Sequence, residues 1–220
     1  MVAPFDEAFS YLRQNNPRGQ YLGGSTGARG FDLPMGQFVG KRGDSPAHLQ
    51  NEFDMNQYLN ALGVDVPQAQ EQLMDGQPMM LTEFQQGQEL GRASPQDIQQ
   101  LTTDFVPHAL ISNWDMLGLG RDNVIRRPDG SLTYVDVGGA GPFRAQGGHK
   151  GGAFGTTVGE LDTLREKNPE FAGITEQDIG RSFDEYGGQS AMEDALQYLR
   201  DKRTQDIMRQ RIQDLTRRVA

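Results

Sequence analysis

Residues 113–139 read NWDMLGLGRDNVIRRPDGSLTYVDVGG: a helix end, a loop and a hairpin in turn. Val124-Ile125 and the run Leu132–Val137 flank Pro128-Asp129-Gly130, a turn sequence, so the two runs are expected to pair as antiparallel strands. A hairpin returns the chain to its starting level, which places Asn123 and Asp136 side by side at its open mouth. An amide oxygen beside a carboxylate is a hard donor set. It suits Mg²⁺, which keeps waters and takes further ligands from phosphates. Aspartate is a poor strand former, so an acid at position 136, followed by Gly138-Gly139, has little structural reason to be there. Upstream, Asp115 follows Trp114 at a helix end, where it could act as a base or orient a nucleophile. Asp122 is either turn chemistry or the alternative polar partner.

Working outward from this stretch, Ser94-Pro95-Gln96-Asp97 carries a helix N-cap, and the helix it opens is expected to run to about Asn113, bent at Pro107. Before it, Pro78–Phe84 is an apolar run followed by polar residues, and 64–67 starts another extended stretch. An amphipathic helix is expected over 46–62, with Leu49, Phe53, Tyr58, Leu59 and Leu62 on its apolar stripe and Gly63 as its stop. Residues 20–41 read as two short strands around Gly23-Gly24-Ser25-Thr26-Gly27, the second ending on Lys41. A first short helix spans about 6–14. Beyond the hairpin, 138–155 is glycine-rich, but Phe143, Arg144, His149, Lys150 and Phe154 interrupt it, and a plain spacer needs no such residues. Helices are expected over about 158–166, 176–186 and 190–219. Strands come first with one embedded helix, and helices follow with one hairpin. That order predicts an α+β protein of two lobes.

The chain of 220 residues has no cysteine, which excludes disulfides, cysteine–zinc sites and a thiol nucleophile. Its net charge of −9 argues against a nucleic-acid partner. Residues 200–220 hold seven basic and three acidic side chains, so that tail is +4 and the remainder −13. The tail reads most simply as an amphipathic helix with a solvated basic face. No apolar run approaches the ~18 residues of a membrane span, and the acidic N-terminus is no secretory signal, so a cytoplasmic protein is expected. His48, His108 and His149 show no zinc spacing. Gly23–Gly27 also fits a hydrolase elbow, with Ser25, Asp136 and His149 in triad order, but an elbow needs a helix after its strand, and another strand is expected here.

Taken together, the parts resemble a kinase. Asn113–Asn123 resembles a kinase catalytic loop, and Val135-Asp136-Val137-Gly138 resembles the Asp-Phe-Gly segment, thirteen residues separating Asn123 from Asp136. Leu81–Leu90 looks like the hinge between lobes, Lys41 like the phosphate-gripping lysine, Glu52 like its ion-pair partner, and Gly23–Gly27 like the phosphate-covering loop. The departures from the common pattern are like those of atypical families, among them phosphatidylinositol 3- and 4-kinases and bacterial persistence-toxin serine kinases. Asn113-Trp114-Asp115 stands for His-Arg-Asp, Asp115 and Asn123 lie eight apart rather than five, and there is no Ala-Pro-Glu. Phage and bacterial proteins carry similar Asn-Trp-Asp…Asp-x-Gly-Gly patterns, so host-cell delivery or virion association is compatible with the resemblance.

The resemblance implies one kinase-like domain over 1–220, with an N-lobe at about 18–80, a hinge at about 81–90 and a C-lobe at about 91–220. It implies ATP and Mg²⁺ as cofactors and an acceptor that is protein, lipid or small molecule. Lys41, Glu52 and Asp115 would be catalytic. Gly24, Ser25, Thr26, Gly27, Lys41, Glu83 and Phe84 would bind the nucleotide, and Asn123 and Asp136 the metal. A pseudokinase, a virion component keeping the fold, and an AMP transferase using the same site are the alternatives.

Overall fold

The computed structural model describes residues 4–23, 27–42 and 45–220. Helix α1 (Phe5–Asn15) buries Phe5, Ala8, Phe9 and Leu12, a helical-period stripe, and Asn16 ends it in the left-handed conformation. The chain then builds a sheet from β1 (Gln20–Gly23), β2 (Ala28–Leu33), β3 (Gly36–Lys41), β4 (Ala69–Met74) and β5 (Gln77–Glu83). Spatial order is β1-β2-β3-β5-β4, every neighbouring pair antiparallel. Three strands therefore occupy 20–41 where two were expected, and the extended stretch expected to start at 64–67 becomes a strand only at β4, from Ala69. Phe31, Leu33, Phe38, Met74, Met79 and Leu81 face α1 and form the first core. This lobe thus begins at α1, ahead of residue 18.

Between β3 and β4 runs α2 (Pro46–Leu62), with Ser45 accepting from the His48 amide as N-cap and Gly63 (φ 88°) as C-cap. Its expected bounds hold, but its amphipathic character does not. His48, Asn51, Glu52, Asp54 and Asn56 are buried along with Leu49, Met55, Tyr58 and Leu59. The reason is position: α2 lies between the sheet and the second lobe, so it has no wholly solvated side.

The second lobe holds a short sheet of β6 (Gln88–Glu89), β7 (Val124–Arg126) and β8 (Leu132–Tyr134), in that spatial order. Its helices are α3 (Pro95–Thr103), α4 (Phe105–Leu110), α5 (Glu160–Lys167), α6 (Glu176–Glu185), α7 (Gly188–Asp194) and α8 (Lys202–Val219). The expected bend at Pro107 is instead a break at Asp104, whose carboxylate accepts from Tyr134 Oη at 2.7 Å and from Tyr186 Oη. Pro107 sits in the first turn of α4, where its missing N–H costs nothing. The expected helix over 190–219 is likewise interrupted near Arg200. There the backbone N–H and Nε of Arg200 hold Asp54 of α2 at 2.9 and 2.6 Å, and Asp201 then caps α8. The basic tail is not wholly solvated either: Arg211 is fully buried.

His108 of α4 is buried against the Tyr134 ring, at 4.2 Å between centroids, and its Nδ1 lies 3.1 Å from Asn113 Nδ2. Burial pushes the His108 pKa down from 6.5 to about 3. The unfolded chain therefore binds a proton that the folded chain refuses between those values, and stability must fall as pH falls through that window. The expected contribution is about 1.4 kcal/mol lost per pH unit well below 6.5. Denaturant melts of the protein and of His108→Gln at pH 7 and pH 5 should show the difference between them shrinking at pH 5. A gap that does not change with pH would contradict a neutral buried imidazole.

Candidate active site

Lys41 ends β3, pairs with Met80 of β5, and points to the sheet face opposite α1. Its Nζ lies 2.6 Å from Glu52 Oε1 and 3.4 Å from Asp136 Oδ2. Lys41 and Glu52 are both buried. Burial alone would lower the Lys41 pKa, but the Asp136 and Glu52 carboxylates outweigh it and hold it above its usual range. Glu52 moves up, because burial outweighs the nearby ammonium and Asp136 adds repulsion. Its Oε2 is buried without a hydrogen-bond partner among the described residues.

The segment after β8 is gripped by α2. Gly138 N donates to Asp136 Oδ1 at 2.9 Å, His48 Nε2 lies 2.9 Å from Gly138 O, and Asn51 Nδ2 donates to Ala140 O at 3.0 Å. A Cβ at Gly138 would stand 3.1 Å from Glu52 Oε2 and 3.2 Å from Asp136 Oδ1. Glycine is therefore what lets the backbone approach the Lys41 cluster.

Asp115 and Asn123 stand eight residues apart, and the loop between them absorbs the extra length in two stacked turns. Gly118 N donates to Asp115 O and Arg121 N to Gly118 O, and Leu119 is 98% exposed at the tip. The loop returns so that Asn123 Nδ2 donates to Asp115 O at 2.6 Å. Asp115 is half-buried. Its pKa is raised by burial first, then by the charges of Asp136 and Asp122, with Asn123 opposing. Asp122 is exposed, its Oδ1 packed against Gly118.

Asn123 and Asp136 flank the β7–β8 hairpin, with Val135 N donating to Asn123 O at 3.0 Å. The Asn123 amide nitrogen is committed to Asp115, which leaves Oδ1 as its atom for a cation. Among the described residues no group of three or more His, Cys, Asp or Glu forms a ready cage for a metal. The donor set fits an ion that takes one carboxylate and one amide and draws its other ligands from water and phosphate. The mutual repulsion of Asp115, Asp122 and Asp136 also favours a cation there.

The expected phosphate loop residues Gly24, Ser25 and Thr26 lie outside the described residues. Gly27 follows them in a left-handed turn (φ 65°). The Ser25 of the alternative triad lies outside them too, while His149 is exposed and stacks on Phe143 at 4.4 Å. At the hinge, Glu83 N donates to Gln68 O and Phe84 N to Gln37 O. Those two amides are thus already in use, and Phe84 is 38% exposed.

Two further residues organise the site in roles that the sequence did not assign to them. Lys150 Nζ donates to Gly139 O at 2.8 Å and to Ser112 O at 2.5 Å, and lies 4.7 Å from the Trp114 ring centre. It ties the loop carrying Asp115 to the segment after Asp136. Burial lowers its pKa to about 7. Arg211 donates to the carbonyls of Ala109, Leu110, Gly155 and Thr157 and to Glu160 Oε2. Glu160 in turn accepts from Ser112 Oγ and Trp114 Nε1. The glycine-rich segment is therefore a pinned loop, not a linker.

No protein-family model matches the chain, and no curated protein matches it in sequence. Among solved structures, the crystal structure of a Helicobacter pylori proinflammatory kinase, CtkA, matches with a TM-score of 0.57. The match covers 93% of this chain and 95% of that one at 11% identity. The fold is kinase-like. At this identity the likeness is one of architecture: a five-stranded antiparallel sheet, an embedded helix and a helical second lobe. No described helix is long and apolar enough to cross a membrane.

Proposed function

We propose that the chain is an ATP- and Mg²⁺-dependent phosphotransferase of atypical kinase type. The observation that carries this reading is the buried Lys41–Glu52 pair, 2.6 Å apart, facing Asp136 at 3.4 Å. A cation fixed by a helix carboxylate beside a metal-binding acid is the arrangement that kinases use to hold and neutralise phosphates. The kinase-like fold supports it.

In this reading the adenine of ATP lies against Leu81–Phe84, and Gly24, Ser25, Thr26 and Gly27 would serve its phosphates. Because the amides of Glu83 and Phe84 already donate elsewhere, the hinge donor would come from Gln85 or Gln86. Lys41 contacts the α- and β-phosphates, and Asn123 and Asp136 hold the metal. Bound there, Mg²⁺ neutralises charge on the phosphate oxygens. Asp115 takes the proton of the acceptor hydroxyl as its oxygen bonds to the γ-phosphorus and the bond to the bridging oxygen breaks, releasing ADP. A raised carboxyl pKa suits that role. The acceptor would approach past Trp114, 40% exposed, whose ring centre lies 5.6 Å from the Arg144 guanidinium.

Turnover of γ-labelled ATP with Mg²⁺, with mass analysis of the products, tests the reading. ADP with a phosphorylated product supports it. Adenylylated product with pyrophosphate release would transfer the site to AMP chemistry, and ATP binding without turnover to a pseudokinase. Asp115→Asn should lower kcat about 10²–10⁴-fold and leave ATP affinity unchanged, since a base acts on the acceptor. Unchanged kcat would move the base role to Asp122.

A further inference from the structure

On the sheet face opposite Lys41, a cleft of about 970 Å³ opens between the end of α1, the turn into β1, β2 and the β4–β5 hairpin. Arg13, Arg18, Arg29 and Arg42 line it, over a floor that includes Phe31 and Met79. Asp75 is its only lining carboxylate among the described residues, so the lining carries +3 in a chain of −9. Two of the four arginines, Arg13 and Arg29, are held by neutral acceptors. Arg13 donates to Gln72 Oε1 at 2.6 Å and to Leu73 O, and Arg29 donates to Gly19 O at 3.0 Å. Arg42 lies 3.5 Å from Asp75, both of them solvent-exposed. Neutral partners orient a guanidinium without cancelling its charge. Four guanidinium groups facing one carboxylate around one concavity repel one another unless an anion joins them.

We infer that this cleft binds a compact ligand carrying several phosphates. Guanidinium forks match phosphate oxygens two at a time, and four forks at one concave site suit phosphates projecting on several sides of a small ring or chain. An extended polyanion fits less well, because beyond the cleft it meets a net-negative surface. The phosphates could belong to a soluble polyphosphate or to a lipid headgroup. The alternation of β3 places Gly40 at this cleft and Lys41 on the other face, so the site lies on the opposite side of the sheet from the Lys41 cluster, with Gly27 of the expected phosphate loop at its edge.

Calorimetric titration of the whole protein with inositol hexakisphosphate, without Mg²⁺ or ATP, is the test. The parent should bind, and the double variant Arg18→Glu/Arg29→Glu should bind about tenfold or more weakly while melting as the parent does. Should the double variant fail to fold, Arg18→Glu alone must show the weakening, since Arg18 is exposed. Sedimentation with phosphatidylcholine vesicles containing phosphatidylinositol bisphosphate distinguishes the sources. Binding to those vesicles assigns a headgroup, and binding to the soluble probe alone assigns a free polyphosphate. No binding of either probe by the parent overturns the inference. So does equal binding by a folded variant, or tighter binding of a single-stranded oligonucleotide through the same arginines.

Discussion

Asp136→Ala is expected to abolish Mg²⁺-dependent nucleotide turnover, by at least about 10²–10³-fold, with the fold intact. The side chain is 39% exposed and its main internal duty is to accept from Gly138 N, so removing it empties no core. What it loses is the one carboxylate that faces both Lys41 and the phosphate side of the cleft. The variant should melt close to the parent, and circular dichroism should be unchanged. Full Mg²⁺-dependent turnover by Asp136→Ala would sink the kinase assignment of this site.

Lys41→Met should act on activity and stability together. It removes the phosphate contact and leaves Glu52 buried without a counter-charge. Breaking one side of a buried pair costs about 3–5 kcal/mol, which for a chain of this size lowers Tm by roughly 6–20 °C. The double variant Lys41→Met/Glu52→Leu should recover most of that stability, because no charge is then buried alone, yet stay inactive. Thermal melts of the parent, both single variants and the double variant give the coupling directly. A Lys41→Met protein that melts like the parent would show that the pair is not formed in solution.

What could be seen in the sequence was whatever has a local signature. The bounds of α2 follow from Ser45-Pro46 at one end and Gly63 at the other. The β7–β8 hairpin follows from its turn, and the order of Lys41, Glu52, Asp115, Asn123 and Asp136 could be read without coordinates. Strand β4 could not. Its residues Ala69–Met74 include three glutamine or glutamate side chains, and it is an edge strand held by its ladder to β5. Only Asp75-Gly76, both at positive φ, marked its turn. The polar inward side of α2 was hidden for a different reason: Asn51 and Asp54 find their partners 89 and 146 residues away. The partners of Lys150 and Arg211 were hidden in the same way. Lys150 binds the carbonyls of Ser112 and Gly139, and Arg211 those of Ala109 and Leu110 in α4 and of Gly155 and Thr157, while in the sequence one sits in a glycine-rich run and the other in a basic tail.

The account rests on nucleotide and metal meeting beneath Lys41. A calorimetric titration of ATP into the protein, with Mg²⁺ and then with EDTA, tests that most directly, with Asp136→Ala run alongside. The account predicts saturable binding that Mg²⁺ strengthens in the parent and does not strengthen in Asp136→Ala. Binding equal in Mg²⁺ and EDTA, or no binding by the parent at millimolar ATP, would contradict it.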